Sequence, residues 1–301
     1  MKEPLVSVVI PTHNRPATLV ETLGHLEKQT LNRAYYEIIV VDDGSSPPVT
    51  VAPPVRLVRL EGEERSAARN AGAKAARGEL LVFIDDDITV DRDFLKSHLE
   101  AHREWPDALL VGAIRLPGEA SATPFGRFRQ KLEDNGIPVA RGITAMPNLC
   151  TAANMAMTRA RFAELGGFDP RIASGEDQDL ALRHTTSGGR IAFIPAATVI
   201  HRDNAMDVRS YCRRAEWGSR MMLPFCRRYP HFVDNITRRR VNGSFNLLKS
   251  LLSIEPVRGL LFAMAGTLER TAPDSAVLDR LYRGLLGVHI YRGYRDGDRN
   301  A

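Results

Sequence analysis

Short apolar or β-branched runs of strand length punctuate the first part of the chain, at Val6–Ile10, Glu37–Val41, Val55–Leu60 and Leu80–Ile84. Helical patterns lie between several of them: Pro16–Lys28 carries Leu19, Leu23 and Leu26 at helical spacing, and Ser66–Ala76 is rich in alanine. Strands alternating with helices predict βαβ units and a mostly parallel sheet covered on both faces. Ligands of such sheets bind beyond the carboxyl ends of the strands. There the first strand runs into Pro11-Thr12-His13-Asn14-Arg15, the second into Asp42-Asp43-Gly44-Ser45-Ser46 and the fourth into Asp85-Asp86-Asp87. Three polar clusters are therefore expected to converge on one crevice.

Past residue 105 the alternation loosens. A strand is expected at Leu109–Ile114, followed by a Gly/Pro-rich stretch from Pro117 to Pro147 that reads as a mobile loop or lid. Thr158–Leu165 and Glu176–Thr186 read as helices, and Ile191–Ile200 as one or two strands ending at His201. From Arg209 to Tyr291 the pattern is helical, with breaks at Pro224, Pro230, Pro256 and Pro273. No repeat or interdomain linker stands out. The expected organisation is a catalytic domain over residues 1–205, with halves of about 1–105 and 106–205, and a helical region over 206–301.

With 44% hydrophobic and 26% charged residues, the composition is that of an ordinary globular chain. Its three cysteines, Cys150, Cys212 and Cys226, form no CxxC pair, which fits a reducing compartment. The first residues lack a signal-peptide cleavage pattern, and no stretch approaches the roughly 20 apolar residues of a membrane span. A cytoplasmic protein is expected. The net charge of +5 gives no reason to expect nucleic acid as a partner. Arginines gather late, at Arg213, Arg214, Arg220, Arg227, Arg228 and Arg238–Arg240, close to Leu247, Leu248, Leu251 and Leu252. Peripheral contact with the cytosolic membrane face, solvated helix faces, packing on the catalytic core and a homodimer contact all remain open readings of that region.

The strongest chemical signal is an apolar strand delivering three successive carboxylates, Asp85, Asp86 and Asp87. Such charge density calls for a cation or for solvent. Hard divalent ions take oxygen ligands and are commonly shared between carboxylates and a substrate's phosphates. The alternative use is a solvated loop or a helix cap by Asp87 or Asp91. Asp42 could accept hydrogen bonds from a base N–H or ribose hydroxyls, or could simply close an Asx-type turn. In Ser174-Gly175-Glu176-Asp177-Gln178-Asp179, capping accounts for one acid but poorly for three. A carboxylate there could act as general base for an acceptor hydroxyl.

In their order these segments resemble the family 2 glycosyltransferases of GT-A fold. Val6–Arg15 matches the family's opening strand and Ile39–Ser45 its second. Ala68-Arg69-Asn70-Ala71-Gly72 resembles the donor-side helix, and Phe83–Asp87 carries the DxD motif. Gly166-Gly167-Phe168-Asp169 with Gly175–Leu180 resembles the acceptor-side segment. The likeness covers about residues 5–203. It implies an α/β, Rossmann-like nucleotide-diphospho-sugar transferase fold with a mostly parallel central sheet and a C-terminal helical extension. The implied activity is metal-dependent, inverting transfer of a sugar from a nucleotide diphosphate donor to a glycan, lipid-linked or small-molecule hydroxyl.

The resemblance further implies that Pro11, Thr12, Asn14, Arg15, Asp42 and Asp43 line the nucleoside pocket, with Arg69, Asp85 and Asp86 on the donor side and Asn154 near the donor sugar. Asp87 and Asp85 would hold Mn²⁺ or Mg²⁺, with His201 as a third ligand or a structural residue. Asp177 would be the base and Glu176 would position acceptor or base. A sugar-1-phosphate nucleotidyltransferase would share a similar sheet but opens with a GxGxRL-type loop, where this chain has Pro11–Arg15. A non-catalytic nucleotide-sugar-binding scaffold would have no need of Asp85, Asp87, Glu176 and Asp177 together.

Overall fold

In the computed structural model the four apolar runs form β1 (Val6–Thr12), β2 (Tyr36–Asp43), β3 (Arg56–Leu60) and β4 (Leu80–Ile84). The described residues are 3–299, without 136–140, 145, 203–206 and 234–245. These strands pair in parallel in the order β3-β2-β1-β4. The sheet continues with β8 (Asn154–Thr158), β6 (Ala108–Arg115), β9 (Arg190–His201) and β5 (Ile88–Val90), and β7 (Gly142–Thr144) pairs with β9. Strand β8 runs antiparallel to both neighbours, β4 and β6, whereas β6 and β9 are parallel.

The two-residue period of a strand divides the core. On one face Val8, Ile10, Ile38, Val40 and Val82 pack with Leu19 and Leu26 of α1 (Pro16–Leu26) and with Phe94, Leu95 and Leu99 of α3 (Phe94–Glu104). On the other, Val9, Ile39, Val41 and Phe83 meet Ala68 and Ala73 of α2 (Arg65–Ala75), Phe162 of α5 (Arg159–Glu164) and Leu180 of α6 (Glu176–Thr186). Helix α2 approaches closely because it presents Gly72 to the sheet. A Cβ there would lie 2.4 Å from Val9 Cγ1 and 3.0 Å from Val41 Cγ2.

At the opposite end of the strands from the polar clusters, buried Glu37 joins three segments. It accepts from Ser7 Oγ (2.8 Å), Arg56 Nη1 (2.7 Å), the Arg77 backbone (2.7 Å) and the Arg77 guanidinium (2.9 Å). Burial by itself would raise its pKa, but the Arg56, Arg77 and Ser7 hydrogen bonds more than offset this and hold it below the usual glutamate range. Glu37→Gln is expected to lower stability by about 2 kcal/mol at neutral pH, read as a urea midpoint. Because the folded-state pKa is depressed, the deficit should shrink as the pH falls through and below the ordinary glutamate range. A deficit independent of pH would contradict this.

By contact the chain divides into Met1–Pro117, Glu133–Pro170 and Glu176–Asp203 as one unit, and Gly118–Leu132, Arg171–Gly175 and Asn204–Ala301 as another. The first holds the whole sheet. The second is helical. Its core joins Phe125 and Phe128 of α4 (Pro124–Asp134) to Val208 and Cys212 of α7 (Val208–Met221). Phe262 and Ala265 of α11 (Glu255–Thr271) and Leu278, Tyr282 and Leu285 of α12 (Ala276–Arg299) complete it. Between them lie α8 (Leu223–Arg228), α9 (Pro230–Val233) and α10 (Asn246–Leu252). Pro224, Pro230 and Pro256 stand in the first turns of α8, α9 and α11, where a missing N–H costs nothing, and Pro273 separates α11 from α12.

The expected loop from Pro117 to Pro147 is corrected: its described part holds a 3₁₀ turn at Gly118–Ala122, helix α4 and strand β7. Phe125 and Phe128, three apart on a helix, bury its apolar side despite the flanking glycines and prolines. Nor do Asp87 or Asp91 cap the helix that follows. Helix α3 begins after Asp93 without a side-chain cap, and Asp87 lies one strand earlier. Arg238–Arg240 and the Leu247 side chain fall outside the described residues.

Candidate active site

The three polar clusters meet. Thr12 Oγ1 donates to Asp86 Oδ2 (2.6 Å), and Arg15 Nη1 reaches Asp87 Oδ2 (3.0 Å) and Asp86 Oδ1 (3.4 Å). His13 Nδ1 lies 2.6 Å from the Asp43 carbonyl. Asn14 ties the first loop to the second: its N–H donates to Ser45 Oγ (2.8 Å) and its Oδ1 accepts from the Ser46 N–H (2.8 Å). This exchange holds Asn14 at φ +55, a conformation that asparagine tolerates better than most residues. Pro11 completes the arrangement as a buried residue within β1.

The second cluster serves the turn first. Asp42 is fully buried and accepts from the Ser45 N–H (3.0 Å), the Val49 N–H (3.1 Å) and Arg59. Asp43 accepts from the N–H groups of Glu63 (2.7 Å) and Glu64 (3.0 Å) just ahead of α2. The Asx-turn reading of Asp42 is therefore the one its contacts satisfy, and its carboxylate is enclosed by the protein. Asn154 differs from its expectation in the same way. It is fully buried, its Nδ2 donates to the carbonyls of Ala113 (3.0 Å) and Ala197 (2.7 Å), and its Oδ1 lies 3.2 Å from His98 Nε2. Its amide pins β6, β8 and β9 together. Gly112 makes room for it, since a Cβ there would fall 2.3 Å from Asn154 Nδ2.

Asp85, Asp87 and His201 form a cluster in which one ligand atom from each lies within 4.8 Å of the others. His201 Nε2 is 3.4 Å from Asp87 Oδ1 and 3.9 Å from Asp85 Oδ2. The topology produces this: β4 delivers the aspartates, and His201, last residue of β9, is registered against Ile88 of β5 immediately beyond them. Among the described residues Asp87 Oδ1 is buried with no hydrogen-bond donor. A buried carboxylate oxygen without a donor is costly, and a cation in contact with it removes that cost. Two carboxylates and an imidazole facing one point fit a divalent ion.

Arg69 links this cluster to the acidic start of α6. Its guanidinium, 2% exposed, donates to Asp85 Oδ1 (2.8 Å) and Glu176 Oε1 (2.9 Å). For Asp85, burial raises the pKa, but Arg69 and then His201 outweigh it and leave the carboxyl below its ordinary range. Asp86 goes the other way, raised by burial and by its two acidic neighbours against the pull of Thr12 and Arg15. Next to Glu176, Asp177 accepts from the N–H groups of Gln178 (2.8 Å) and Ala152 (3.3 Å). Burial and then the Glu176 charge push its pKa up to about 7, against Arg69 and those two donors. Arg69→Met would leave Asp85 and Glu176 without their shared counter-charge and is expected to cost about 3 kcal/mol of stability. Chemical denaturation reads this directly; an unchanged midpoint would contradict the bridge.

The remaining motif residues are fold devices that sequence reasoning did not separate from chemistry. Asp179 is fully buried and paired with Arg183 (2.7 Å), whose guanidinium also donates to the carbonyls of Leu165 (2.6 Å) and Gly167 (2.8 Å). Asn70 exchanges two hydrogen bonds with the Phe168 backbone (2.8 and 2.9 Å). Gly167, at φ +72, leaves space for it. Phe83, Phe162 and Phe168 stack beneath this turn with centroids 5.2–5.3 Å apart. His13 was legible only as part of the first loop, and Thr22, which bonds the carbonyls of Asp86 (2.8 Å) and Ile88 (3.0 Å), gave no signal because its partners lie more than 60 residues away.

The chain resembles known proteins in sequence and fold. The model of Glycosyl transferase family 2 matches residues 7–146. Over 271 residues the chain is 28% identical to a pre-mycofactocin glycosyltransferase of Mycobacterium tuberculosis, covering 86% of this chain and 55% of that protein. Over 220 residues it is 39% identical to validoxylamine A glucosyltransferase of Streptomyces hygroscopicus subsp. jinggangensis, covering 60% and 51%. The chain thus spans about half the length of these curated relatives. Among solved structures, the mannosyltransferase PcManGT from Pyrobaculum calidifontis, in complex with GDP-Man and Mn²⁺, superposes with a TM-score of 0.60 at 17% identity over 95% of this chain and 86% of that one. Residues 7–146 thus match the family 2 glycosyltransferases, and the fold is GT-A.

Proposed function

We propose that the protein is an inverting, metal-dependent glycosyltransferase that moves a sugar from a nucleotide diphosphate donor to an acceptor hydroxyl. The observation that carries this reading is the pairing of two sites through Arg69: a cation-ready cluster with an unsatisfied buried oxygen on Asp87, and a basic carboxylate at Asp177. Relatives named as glycosyltransferases support the class, and the PcManGT complex, which contains GDP-Man and Mn²⁺, supports the donor type and the ion.

Asp85, Asp87 and His201 would hold Mn²⁺ or Mg²⁺. Once bound, the ion supplies positive charge that stabilises the departing diphosphate. The protein's own groups do the rest. Asp177 takes the proton of the acceptor hydroxyl, whose oxygen attacks the anomeric carbon as the bond from that carbon to the diphosphate oxygen breaks. A single displacement inverts the anomeric configuration. The N–H groups of Ala152 and Gln178 orient the Asp177 carboxylate, and burial together with the Glu176 charge keeps it basic. Arg15 and Thr12 hold Asp86 and Asp87 at the mouth of β4. On this reading the sheet-bearing unit, within residues 1–205, carries the chemistry, and the acceptor is a carbohydrate, a lipid-linked sugar or a small molecule. The anomeric coupling constant of the first-formed product, read by proton NMR against the donor's, tests the displacement: inversion is expected, and retention would overturn it.

A further inference from the structure

The helices of the second unit carry an outward surface that sugar transfer does not use. Twelve large hydrophobic side chains are exposed among the described residues, and five of them fall between Leu248 and Met264: Leu248, Leu251, Ile254, Leu260 and Met264. Helix α11 is amphipathic in an unusual sense. Its inward side buries Phe262 and Ala265, while Leu260 (62% exposed) and Met264 (47%) face outward with Ala263 and Thr267. That outward stripe, continued by Thr271, contains no ionisable residue. Three of the helix's charged residues are engaged elsewhere, and only Arg270 stays exposed near its end: Arg258, with little exposed surface, pairs with Glu255, and Glu269 accepts from Tyr282 Oη at 2.6 Å. A helix face exposed to water ordinarily carries charge, so a charge-free aliphatic one needs a cover.

The charge around it indicates what that cover is. Residues 204–301 contain 17 Lys and Arg against 9 Asp and Glu, an excess of +8 in a chain whose total is +5. Glu255, already paired, is the sole acid between residues 246 and 268. Basic groups lie beside the stripe at Lys249, next to Leu248, and at Arg270, exposed at the end of α11, while Arg295, paired with Asp296, donates to Ser253 Oγ at the α10–α11 junction (3.2 Å). A second copy docked by the same face would bring two positive units together, a repulsive arrangement. An anionic lipid surface offers apolar depth and opposite charge at once. No described helix is long and apolar enough to cross a membrane, so the contact would lie in the interfacial plane.

We infer that the α10–α11 face, from Leu248 to Met264, docks the protein on an anionic lipid surface. The test uses the full chain without donor or metal, so its outcome is independent of the transfer reaction. Sedimentation with phosphatidylglycerol-rich vesicles should carry the protein down, pure phosphatidylcholine vesicles should do so far less, and high salt should release it. The Leu260→Glu/Met264→Glu double variant changes exposed residues only, so it should keep its far-ultraviolet circular dichroism and melting temperature while losing roughly tenfold or more in vesicle affinity. Equal binding to both lipids, no binding at all, or an unaltered affinity in the variant would overturn the proposal. So would a dimer of the wild type, seen by sedimentation equilibrium, that the substitutions dissolve while vesicle binding is unaffected.

Discussion

Asp177→Asn is expected to lower kcat about a thousandfold, within the range that a positioned general base contributes, while the donor's dissociation constant stays within a few-fold of wild type. The amide oxygen can keep the shorter bond, from the Gln178 N–H (2.8 Å), and only the longer one, from the Ala152 N–H to the other carboxylate oxygen (3.3 Å), is lost. The pH dependence sharpens the prediction. The wild-type base works when ionised, and burial with the Glu176 charge places its pKa at about 7. Activity should therefore fall as the pH drops through about 7, well above the ordinary aspartate range, and this acid limb should vanish from the residual rate of the variant.

A stability effect of opposite sign accompanies it. A folded-state pKa raised above the unfolded value means that the native state binds more protons between the two, so the wild type loses stability as the pH rises through that window. The asparagine variant has no such loss and should melt slightly above the wild type at alkaline pH. That exchange of stability for function is common where a site keeps an uncomfortable charge. A variant with full turnover, or one whose acid limb persists, would move the base elsewhere.

The second large effect concerns the ion. Asp87→Ala removes the carboxylate that has a buried oxygen without a donor and that stands nearest His201. Turnover should fall by about a thousandfold or more, corresponding to several kcal/mol of lost charge stabilisation in the transition state. Binding of Mn²⁺ itself, followed by electron paramagnetic resonance without donor, should weaken in parallel. His201→Ala should weaken it less, because two carboxylates remain. If Asp87→Ala kept normal turnover and Mn²⁺ affinity, the Asp85–Asp87–His201 assignment would fail.

Much of this was legible in the sequence, for a physical reason. Strands β1, β2 and β4 are buried on both faces, so Val6–Ile10, interrupted only by Ser7, Ile38–Val41 and Leu80–Ile84 read as apolar runs, and the polar residues that end them had to share one side of the sheet. Strand β8 was hidden because Asn154 and Thr158 break its apolar pattern and its partners β4 and β6 are remote in sequence. Helix α4 was hidden by the glycines and prolines around a short Phe125–Phe128 signal.

Within the site, the residue types were readable but their division of labour was not. Asp42, Asn154 and Asp179 carry polar groups at motif positions, yet each is committed to backbone or side-chain partners inside the fold. Asp87 has the same chemistry but leaves Oδ1 without a donor among the described residues, and Asp177 is set apart by its burial beside the Glu176 charge. Arg69, which resembled a donor contact, is held between Asp85 and Glu176, a pairing of residues 16 and 107 positions away that no local pattern encodes.

The central claim is that a donor nucleotide sugar binds through a cation held by Asp85, Asp87 and His201. Calorimetric titration of a panel of nucleotide diphosphate sugars into the wild-type protein, with Mn²⁺ and again with excess chelator, tests it most directly. At least one donor is expected to bind with Mn²⁺ and to lose most of its affinity in chelator. Equal affinity in both conditions, or no binding by any donor, would contradict it.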